Sequence, residues 1–474
     1  MDRTGRERPR VQRDTGQWDG QEIAKMSQYK LTRRTFLMGS AAAALAGCAT
    51  SNRRAGSRRV SPNEKLNIGV TGVGGKGRED SNGCKGENVV ALCDVDWGGN
   101  ALEGAAQFPN AKRYTDFRQM LEKENLDAVT VTTPDHTHAI AAMTAMSMGK
   151  HVYVQKPLTY TIAEARMLAE AARKYKVSTQ MGNQGHSGDG TRKMCELIWS
   201  GEIGQIKEVH IWTNRPIWPQ GINRPTDTPP VPKDLDWDLW QSTAPRRPYN
   251  PAYVPFKWRG WRDYGCGALG DMACHIADPA NWALRLSEAG PISVEAIQNE
   301  GMTKESFPKK ATIKYEFPKR GDMDPVTIYW YEGGNLPKLP ADLPEGTLLG
   351  EGDNGSLFVG TKGYATTNTY GGKPRLLPDS RMMDYKWPDE TIGRIPHQNH
   401  YEDWIRSCKD GKPSCSNFDY SGPFTEWVVM GNLSLHFPGK LEWDAKNMRV
   451  TNVAEANQFV TKEYPKGWDP AEFA

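Results

Sequence analysis

The stretch KLNIGVTGVGGKGRED, residues 65–80, decides the fold of the first half of the chain. Its apolar run from Leu66 to Thr71 predicts a buried β-strand, and the glycines that follow have the spacing G-x-G-x-x-G. This spacing allows a tight turn, brings the backbone close to a pyrophosphate and directs a helix N-terminus at it. A dinucleotide is the predicted ligand, and a glycine-rich turn without a nucleotide is the alternative. The candidate contacts in the turn are Gly72, Gly74, Gly75, Lys76 and Gly77.

The next apolar run, NVVALCDVD at residues 88–96, ends in acidic residues. Asp94 lies about 20 residues beyond the glycines, where a carboxylate accepts hydrogen bonds from both ribose hydroxyls of a dinucleotide. No arginine follows Asp94 to neutralise a 2′-phosphate, so the sequence favours NAD over NADP as the cofactor.

Strand and helix patterns continue to alternate as far as residue 183. Strands are predicted at residues 128–133 and 151–154, and helices at residues 138–148 and 162–174. Parallel strands with helical crossovers place their functional loops at one edge of the sheet, beyond the carboxyl ends of the strands. The candidate cofactor contacts at this edge are Thr133, Pro134, His138, Gln155, Lys156 and Asn183, and Gln184 is a candidate substrate contact.

The second half of the chain changes to longer β-type runs and proline-rich loops. Strand patterns follow one another without helices between them, which predicts a mostly antiparallel sheet. The predicted fold is α/β: a doubly wound parallel Rossmann sheet over residues 65–185, then an α+β domain with a large, mostly antiparallel sheet over residues 186–474. The predicted strands of the second domain lie within residues 203–214, 292–302, 311–317, 326–331 and 355–368.

Polar side chains in this second half are candidates for the reaction and for substrate binding. Asp271 and His275 stand four residues apart in a predicted helix over residues 265–284, and therefore on one helix face. A buried capping histidine is the alternative for His275. Other polar and aromatic residues are weaker candidates for substrate binding, and a structural role is the alternative for each of them. Trp258 or Trp261 would stack on a sugar. The candidate substrate contacts in this half are Arg259, Arg262, Tyr264 and His400.

Two segments give the chain a specific resemblance. GKHVYVQKPL at residues 149–158 resembles the Glu-Lys-Pro segment of the Gfo/Idh/MocA oxidoreductases, and YGCGALGDMACHIADPANW at residues 264–282 resembles their segment with an Asp-x-x-x-His pair. The similarity runs from Lys65 to the C-terminus in the family's motif order. One departure is that Gln155 stands where the family has glutamate.

The resemblance implies an NAD-dependent reaction on a carbohydrate. In the family a lysine, an aspartate and a histidine surround the nicotinamide ring and the reacting sugar carbon, and the matching residues are Lys156, Asp271 and His275. His275 is then the base, oriented by Asp271, and Lys156 stabilises the charge that develops on the oxygen. The resemblance also implies a homo-oligomer, a dimer or a tetramer, assembled through the second domain.

The N-terminal segment LTRRTFLMGSAAAALAGCAT, residues 31–50, predicts export. Its apolar run over residues 36–46 is too short to span a bilayer, which needs about 20 residues, and it fits a signal peptide. The Arg33-Arg34 pair resembles the twin-arginine signal, and the residues ending at Cys48 resemble a lipobox. We therefore predict a signal peptide over residues 1–48, a linker over residues 49–64, and a periplasmic or cell-envelope protein held by a lipid on Cys48.

Two points about this N-terminal segment stay open. An ordinary signal peptide with a chance arginine pair is the alternative, and translation starts at Met1 or at Met26.

Overall composition excludes two other classes of function. The net charge is only +3 and the excess sits near the N-terminus, which argues against nucleic acid as a partner. No Cys-x-x-Cys pair or Cys/His cluster has zinc spacing, so no metal is predicted.

Export and a dinucleotide together bear on the reaction. Little free NAD is available outside the cytoplasm. If the protein is exported in folded form, we therefore expect it to carry its NAD along and to return each hydride to the substrate in the same site. Three functions remain open on the sequence. The first is redox-neutral glycoside processing with tightly bound NAD, as in the NAD-dependent glycosidase branch of the family; the second is net oxidation of a sugar or cyclitol; and the third is a non-catalytic carbohydrate-binding lipoprotein.

Overall fold

A computed structural model describes Ser61 and residues 63–474. The predicted signal peptide, the twin-arginine pair, the lipobox cysteine and nearly all of the predicted linker lie outside the described residues. Within the described part of the chain, no helix has the length and apolar character needed to cross a membrane. Within the same part, no group of three or more His, Cys, Asp or Glu side chains is arranged to hold a metal ion.

The first part of the described chain alternates strands and helices as the sequence predicts. Its strands are β1 (Asn67–Thr71), β2 (Asn88–Cys93), β3 (Lys112–Tyr114), β4 (Ala128–Val131), β5 (His151–Val154) and β6 (Thr179–Met181). Its helices are α1 (Lys76–Gly83), α2 (Asn100–Ala105), α3 (Phe117–Lys123), α4 (His138–Ser147) and α5 (Ile162–Tyr175). The six strands form one parallel sheet in the order β3-β2-β1-β4-β5-β6, which confirms the Rossmann prediction.

The strand order reverses between β1 and β4, and this point positions the site. Strands β4 and β5 are buried along their whole length because helices cover both faces of the sheet. The crevice beyond the carboxyl ends of the strands at such a reversal is where ligands bind in open α/β sheets. Helix α5 is fixed at its start by a capping box between Thr161 and Glu164, which explains the sharp boundary after the β5 loop.

The second part of the described chain is built on a larger sheet. Its strands are β7 (Ile206–Trp212), β8 (Ser293–Glu300), β9 (Lys310–Phe317), β10 (Val326–Glu332), β11 (Gly355–Gly360), β12 (Gly363–Thr367), β13 (Arg375–Leu377), β14 (Leu441–Asp444) and β15 (Arg449–Val450). These nine strands pair in the order β13-β12-β11-β7-β10-β9-β8-β14-β15. Only the β7–β10 pair is parallel among them, so the prediction of a mostly antiparallel sheet is confirmed.

Helices of the second part are α6 (Asp189–Trp199), α7 (Trp237–Gln241), α8 (Gly267–Ile276), α9 (Asp278–Ala283), α10 (Leu286–Ala289), α11 (His400–Asp410) and α12 (Phe418–Ser434). Two predicted elements are divided in the structure. The strand pattern over 355–368 is a hairpin of β11 and β12. The helical pattern over 265–284 is two helices, because Pro279 in the first turn of α9 begins a new helix there.

The C-terminal helices return to the first sheet. Trp404 and Cys408 on α11 are buried together with Ile68 of β1 and Tyr153 of β5, and α12 packs against α5. The predicted boundary at residues 185 and 186 separates the two sheets along the chain, but residues of α11 and α12 complete the core of the first one. These long-range contacts are not visible in a local sequence pattern.

The proline-rich residues 213–264, here called the covering segment, lie between β7 and α8 and are folded onto the first sheet. Trp97 N donates to Asp234 O at 3.0 Å, and Asp236 N donates to Val95 O at 2.8 Å, just beyond the end of β2. Aromatic rings hold the segment itself together, with Trp237 and Trp240 stacked at 4.8 Å between centroids. The covering segment therefore forms a wall beside the predicted ribose position.

Candidate functional site

A cavity of about 1050 Å³ runs along the carboxyl edge of the parallel sheet, from the glycine turn to helix α8. Its walls come from the first sheet, the covering segment, the loop after β12 and the C-terminal tail. A space of this size and shape is typical of cofactor and substrate sites. The sequence-predicted residues that line it are Gly72, Gly74, Gly75, Lys76, Asp94, Thr133, Pro134, Gln155, Lys156, Gln184, Arg259, Asp271 and His275.

The glycine turn closes tightly between β1 and α1. Gly72 has a φ of +82°, and a Cβ there would lie 2.4 Å from Thr132 O. A Cβ on Gly77 would lie 1.9 Å from Gly72 O, so α1 can begin this close to β1 only if residue 77 has no side chain. Gly77 itself does not line the cavity; it sets the position of the residues that do.

Asp94 lies at the end of β2 and faces both the turn and the cavity. Its Oδ2 accepts from Val73 N at 2.7 Å and from Gly74 N at 3.3 Å, and its Oδ1 accepts from Asp96 N at 3.0 Å. The carboxylate therefore fixes the glycine turn from within the protein. Its predicted contact with ribose hydroxyls stays a prediction.

Lys156 and Asp271 form an ion pair at the other end of the cavity. Lys156 follows β5, and its Nζ donates to the Asp271 backbone oxygen at 2.6 Å and to Oδ1 at 3.0 Å. Burial would raise the pKa of Asp271, but the charges of Lys156 and Arg259 outweigh burial and hold that pKa at about 2. Asp271 is therefore ionised at neutral pH and fixes the ammonium in place.

His275 lies one helical turn beyond Asp271 on α8. Its side chain is buried, its ring packs edge-on to Tyr370 at 5.0 Å, and its Nδ1 has no hydrogen-bond partner among the described residues. Burial and the neighbouring Lys156 ammonium hold the pKa of His275 well below its usual value, although Asp271 opposes the shift. The ring is therefore neutral at pH 7.

Gln155, the departure from the family pattern, has a partner that explains it. Its Nε2 donates to both oxygens of Asp80, at 3.1 and 2.9 Å, and its Oε1 accepts from Lys156 N at 3.3 Å. Asp80 is buried and also accepts from Thr132 and Tyr401. A glutamate at position 155 would place a second carboxylate against Asp80, whereas the amide satisfies it.

Three predicted contacts support the cavity from behind its wall. His138 lies 2.8 Å from both Thr133 O and Pro157 O, so it joins the loops after β4 and β5. Asn183 accepts from Ser416 Oγ at 2.6 Å, and His400 Nε2 lies 2.7 Å from Met181 O. None of the three lines the cavity, because each is bonded within the protein core.

Arg262 and Tyr264 also lie away from the cavity wall. Arg262 donates to the backbone oxygens of Thr303 and Lys304 and to His436. Tyr264 is buried in the aromatic cluster of the covering segment. The sequence groups Arg262 and Tyr264 with Arg259, but only Arg259 of the three lines the cavity. Of the two tryptophans, Trp258 lies at the cavity wall and Trp261 does not.

Other lining residues were not found from the sequence. Asp135 follows the predicted Thr133-Pro134 pair, and Arg215 follows the end of β7. Their positions after strands could therefore have identified them as candidate site residues. The remaining ones come from segments distant in the chain and carry no local signal. The lining residues without a sequence prediction include Asp135, Arg215, Trp218, Trp240, Phe256, Tyr370 and Trp468.

The residues of this cavity fit a bound dinucleotide. At one end are the backbone of the glycine turn, Lys76 and Asp94, which suit a pyrophosphate and a ribose. Along the wall, the buried atoms Thr133 Oγ1 and Gln184 Oε1 have no hydrogen-bond partner among the described residues. Buried polar atoms of this kind are normally satisfied, so a ligand that bonds to them is expected here.

Curated proteins similar to this chain include dehydrogenases. Inositol 2-dehydrogenase of Salmonella typhimurium is 32% identical over 151 residues, which are 31% of this chain and 45% of that protein. Levoglucosan dehydrogenase of Pseudarthrobacter phenanthrenivorans is 25% identical over 182 residues, which are 38% of this chain and 39% of that protein. The chain thus spans less than half the length of these curated relatives.

Solved structures share the fold over most of the chain. A levoglucosan dehydrogenase in complex with NADH gives a TM-score of 0.54 at 17% identity, over 80% of this chain and 99% of that one. The WlbA dehydrogenase from Bordetella pertussis, in complex with NADH and UDP-GlcNAcA, gives 0.55 at 18% identity, over 80% and 99%. At these identities the likeness establishes the fold alone.

Family descriptions match both parts of the chain in order. Residues 66–183 match the NAD-binding Rossmann fold of the Gfo/Idh/MocA oxidoreductases, and residues 206–320 match the C-terminal α/β domain of the same oxidoreductases. The first match contains the glycine turn and Lys156, and the second contains Asp271 and His275. The chain therefore belongs to the Gfo/Idh/MocA oxidoreductase family, and its first domain is an NAD-binding Rossmann domain.

Proposed function

We propose that this protein oxidises and reduces a secondary hydroxyl of a sugar, a cyclitol or a glycoside with NAD as cofactor. The observation that carries the proposal is the grouping of Lys156, Asp271 and His275 in the same cavity as the glycine turn. Relatives that are dehydrogenases of inositol and levoglucosan support this class of substrate.

The chain's own side chains divide the work on the hydroxyl group. Oxidation needs a base for the hydroxyl proton and a positive group beside the oxygen that becomes a carbonyl. His275 takes the proton at its unpartnered Nδ1, since burial keeps the ring neutral. Lys156, held by Asp271, stabilises the negative charge on the oxygen. When bound, NAD would supply the acceptor and the donor of the hydride.

Contacts over the nucleotide end of the cavity support a cofactor that is retained. The covering segment is hydrogen-bonded beside Asp94, and Trp240 of this segment lines the cavity. Trp468 of the C-terminal tail also lines it, packed on Phe117 and under the Arg118 guanidinium at 4.3 Å. We infer that contacts with these groups slow the release of a dinucleotide bound beside them.

A retained cofactor favours a reaction without net redox change. Transient oxidation of a sugar hydroxyl acidifies the neighbouring C–H bond, elimination then expels the aglycone, water adds, and the ketone is reduced in the same site. We therefore propose redox-neutral glycoside cleavage as the specific activity. Net oxidation of a sugar or cyclitol is the second candidate, supported by the dehydrogenase relatives.

The purified protein, prepared without added nucleotide, is expected to release about one NAD per chain when denatured, as a fully retained cofactor requires. It should then liberate nitrophenol from nitrophenyl glycosides with no cofactor added. The measurements are nucleotide chromatography of the denatured protein and absorbance of the free nitrophenolate.

Three other outcomes would contradict this proposal in whole or in part. Growth of NADH absorbance only when NAD is supplied, without aglycone release, would establish the net dehydrogenase and reject cleavage. Aglycone release that needs added NAD would contradict retention. Sugar binding with no nucleotide and no turnover would leave the carbohydrate-binding lipoprotein.

We also propose that the protein is exported by the twin-arginine route and anchored by a lipid on Cys48. A folded export route suits a protein that must bind its dinucleotide before it leaves the cytoplasm. Replacement of Arg33 and Arg34 by lysine is expected to leave the protein in the cytoplasmic fraction. Cys48→Ser should release it from the membrane fraction, and unchanged fractionation of both variants would contradict the proposal.

A homo-oligomer, either a dimer or a tetramer, is our proposal for the assembly. One face of the large sheet carries the half-buried rings of His210, Tyr329 and Tyr331, with His210 stacked on Tyr329 at 5.1 Å. Partly covered aromatic surface of this kind favours association between copies. Light scattering of the purified protein gives its mass and tests the proposal.

A further inference from the structure

Three cationic side chains converge on one carboxylate at the substrate end of the cavity. Besides Lys156 at 3.0 Å, Arg259 Nε lies 3.2 Å from Asp271 Oδ1, and Arg215 Nε lies 3.7 Å from Asp271 Oδ2. Lys156 and Arg259 contact the same oxygen atom, so their charges are close neighbours and repel each other. A single ionised carboxylate offsets only one of the three charges.

The reaction itself accounts for only part of this group. Lys156 and Asp271 have roles beside the hydroxyl, whereas neither arginine is needed for proton or hydride transfer. Asp135, the other acid in this part of the wall, accepts from Cys266 N at 2.9 Å, and burial raises its pKa to about 7 in spite of Arg259 and Lys156. At neutral pH a good fraction of Asp135 is uncharged, so the excess of positive charge remains.

Both arginines keep N–H groups for a ligand. Arg259 rests among aromatic rings, 4.2 Å from the centroid of Trp258 and 4.6 Å from that of Phe256, which fixes its plane beside the cavity. Its bonds within the described residues are to Asp271 and Phe256 O. Arg215 Nε is buried and has no hydrogen-bond partner among the described residues. A guanidinium has five donors, so several are left to bind an oxyanion.

We infer that the substrate is an anionic sugar whose oxyanion group is bound by Arg215 and Arg259 while its reacting hydroxyl faces His275. This inference rests on the proposed function and adds the substrate class to it. A sugar carboxylate and a sugar phosphate or sulfate share the chemistry that a planar guanidinium recognises. Binding of one such group reduces the excess positive charge that the pocket carries when empty of substrate.

The experiment compares sugars that differ in charge at one position, using the purified full-length protein with its NAD. The panel is methyl glucoside, methyl glucuronide and methyl glucoside 6-phosphate, with the galacto and manno counterparts. Turnover is followed both by methanol release, for cleavage, and by NADH absorbance, for net oxidation, and binding is followed separately by calorimetry. We expect an anionic member to exceed its neutral counterpart by about 10- to 100-fold in kcat/KM, as charged hydrogen bonds allow.

Variants identify the groups responsible for the charge preference. Arg215→Gln and Arg259→Gln are each expected to raise KM for the anionic sugar by about tenfold more than KM for the neutral one. Arg224→Gln is the matched control: Arg224 belongs to the same covering segment, is half exposed and pairs with Glu305 outside the cavity. Salt should weaken binding of the anionic sugar only.

Each result decides the matter. Preference for the uronate identifies a carboxylate, and preference for the phosphate identifies a phosphorylated sugar; both support the inference. Equal use of neutral and anionic sugars, or an equal loss of kcat on both in the arginine variants, overturns it and leaves the proposed function standing. If no sugar is turned over, the proposed function fails, and equal calorimetric affinity for both sugars then overturns the charge preference as well.

Discussion

Replacement of His275 by asparagine is expected to lower kcat for hydride transfer by about 10³-fold, within the range for loss of a general base. The physical reason is that His275 is the neutral group at the cavity wall whose Nδ1 has no partner among the described residues. Lys156 cannot replace it, since its Nζ is bonded to the backbone oxygen and the carboxylate of Asp271. Asparagine keeps a polar side chain of similar size, so NAD should still be released on denaturation.

The pH dependence of the native protein separates a base from a structural histidine. Burial and Lys156 lower the pKa of His275, so its neutral form persists as the pH falls through the ordinary histidine value of about 6.5. We expect kcat/KM for oxidation to stay level from pH 8 to below that value. Because Asp135 has a pKa of about 7, the profile is also recorded in Asp135→Asn.

The control for His275 is His397→Asn. His397 is 82% exposed and faces Glu402 outside the cavity, so its replacement should leave kcat within about twofold. A loss of activity centred at pH 6.5 or above that persists in Asp135→Asn would contradict the lowered pKa. Normal turnover by His275→Asn would show that another group takes the proton.

Local sequence was sufficient for the cofactor end of the site. The strand, the glycine turn and helix α1 follow one another within residues 67–83, so spacing alone determines their geometry. Lys156 was predictable for the same reason, since it follows a buried strand whose carboxyl end must lie at the sheet edge. Asp271 and His275 needed only helical periodicity to be placed on one face.

The substrate end depends on contacts that no local pattern contains. Arg259 and Arg262 are three residues apart, yet only Arg259 faces the cavity. Arg262 is turned away because Thr303 and His436, which lie far along the chain, bind its guanidinium. The resemblance likewise identified Gln155 as a departure, but its partner Asp80 became visible only when α1 was packed beside β5.

Substitution of Gly77 by alanine is expected to lower the free energy of unfolding by about 3 kcal/mol and to abolish retention of NAD. The new Cβ would lie 1.9 Å from Gly72 O and 2.7 Å from Gly72 C, which are backbone atoms that no rotamer change can move. Helix α1 must therefore shift away from β1, and the N-terminus of the helix and Lys76 shift with it. Denaturant unfolding gives the loss of stability, and nucleotide chromatography gives the loss of NAD.

Gly86→Ala is the matched control for this substitution, because a Cβ at position 86 meets nothing within 4 Å and the residue lies just beyond the end of α1. It should unfold like the native protein and keep its NAD. Added NAD should raise the unfolding midpoint of a nucleotide-free native sample and of Gly86→Ala, since a ligand that binds only the folded state stabilises it. The midpoint of Gly77→Ala should not respond. If Gly77→Ala keeps NAD and is as stable as Gly86→Ala, the close approach of α1 to β1 is not what holds the nucleotide. Lys76 and Asp94 would then have to bind the nucleotide without that approach.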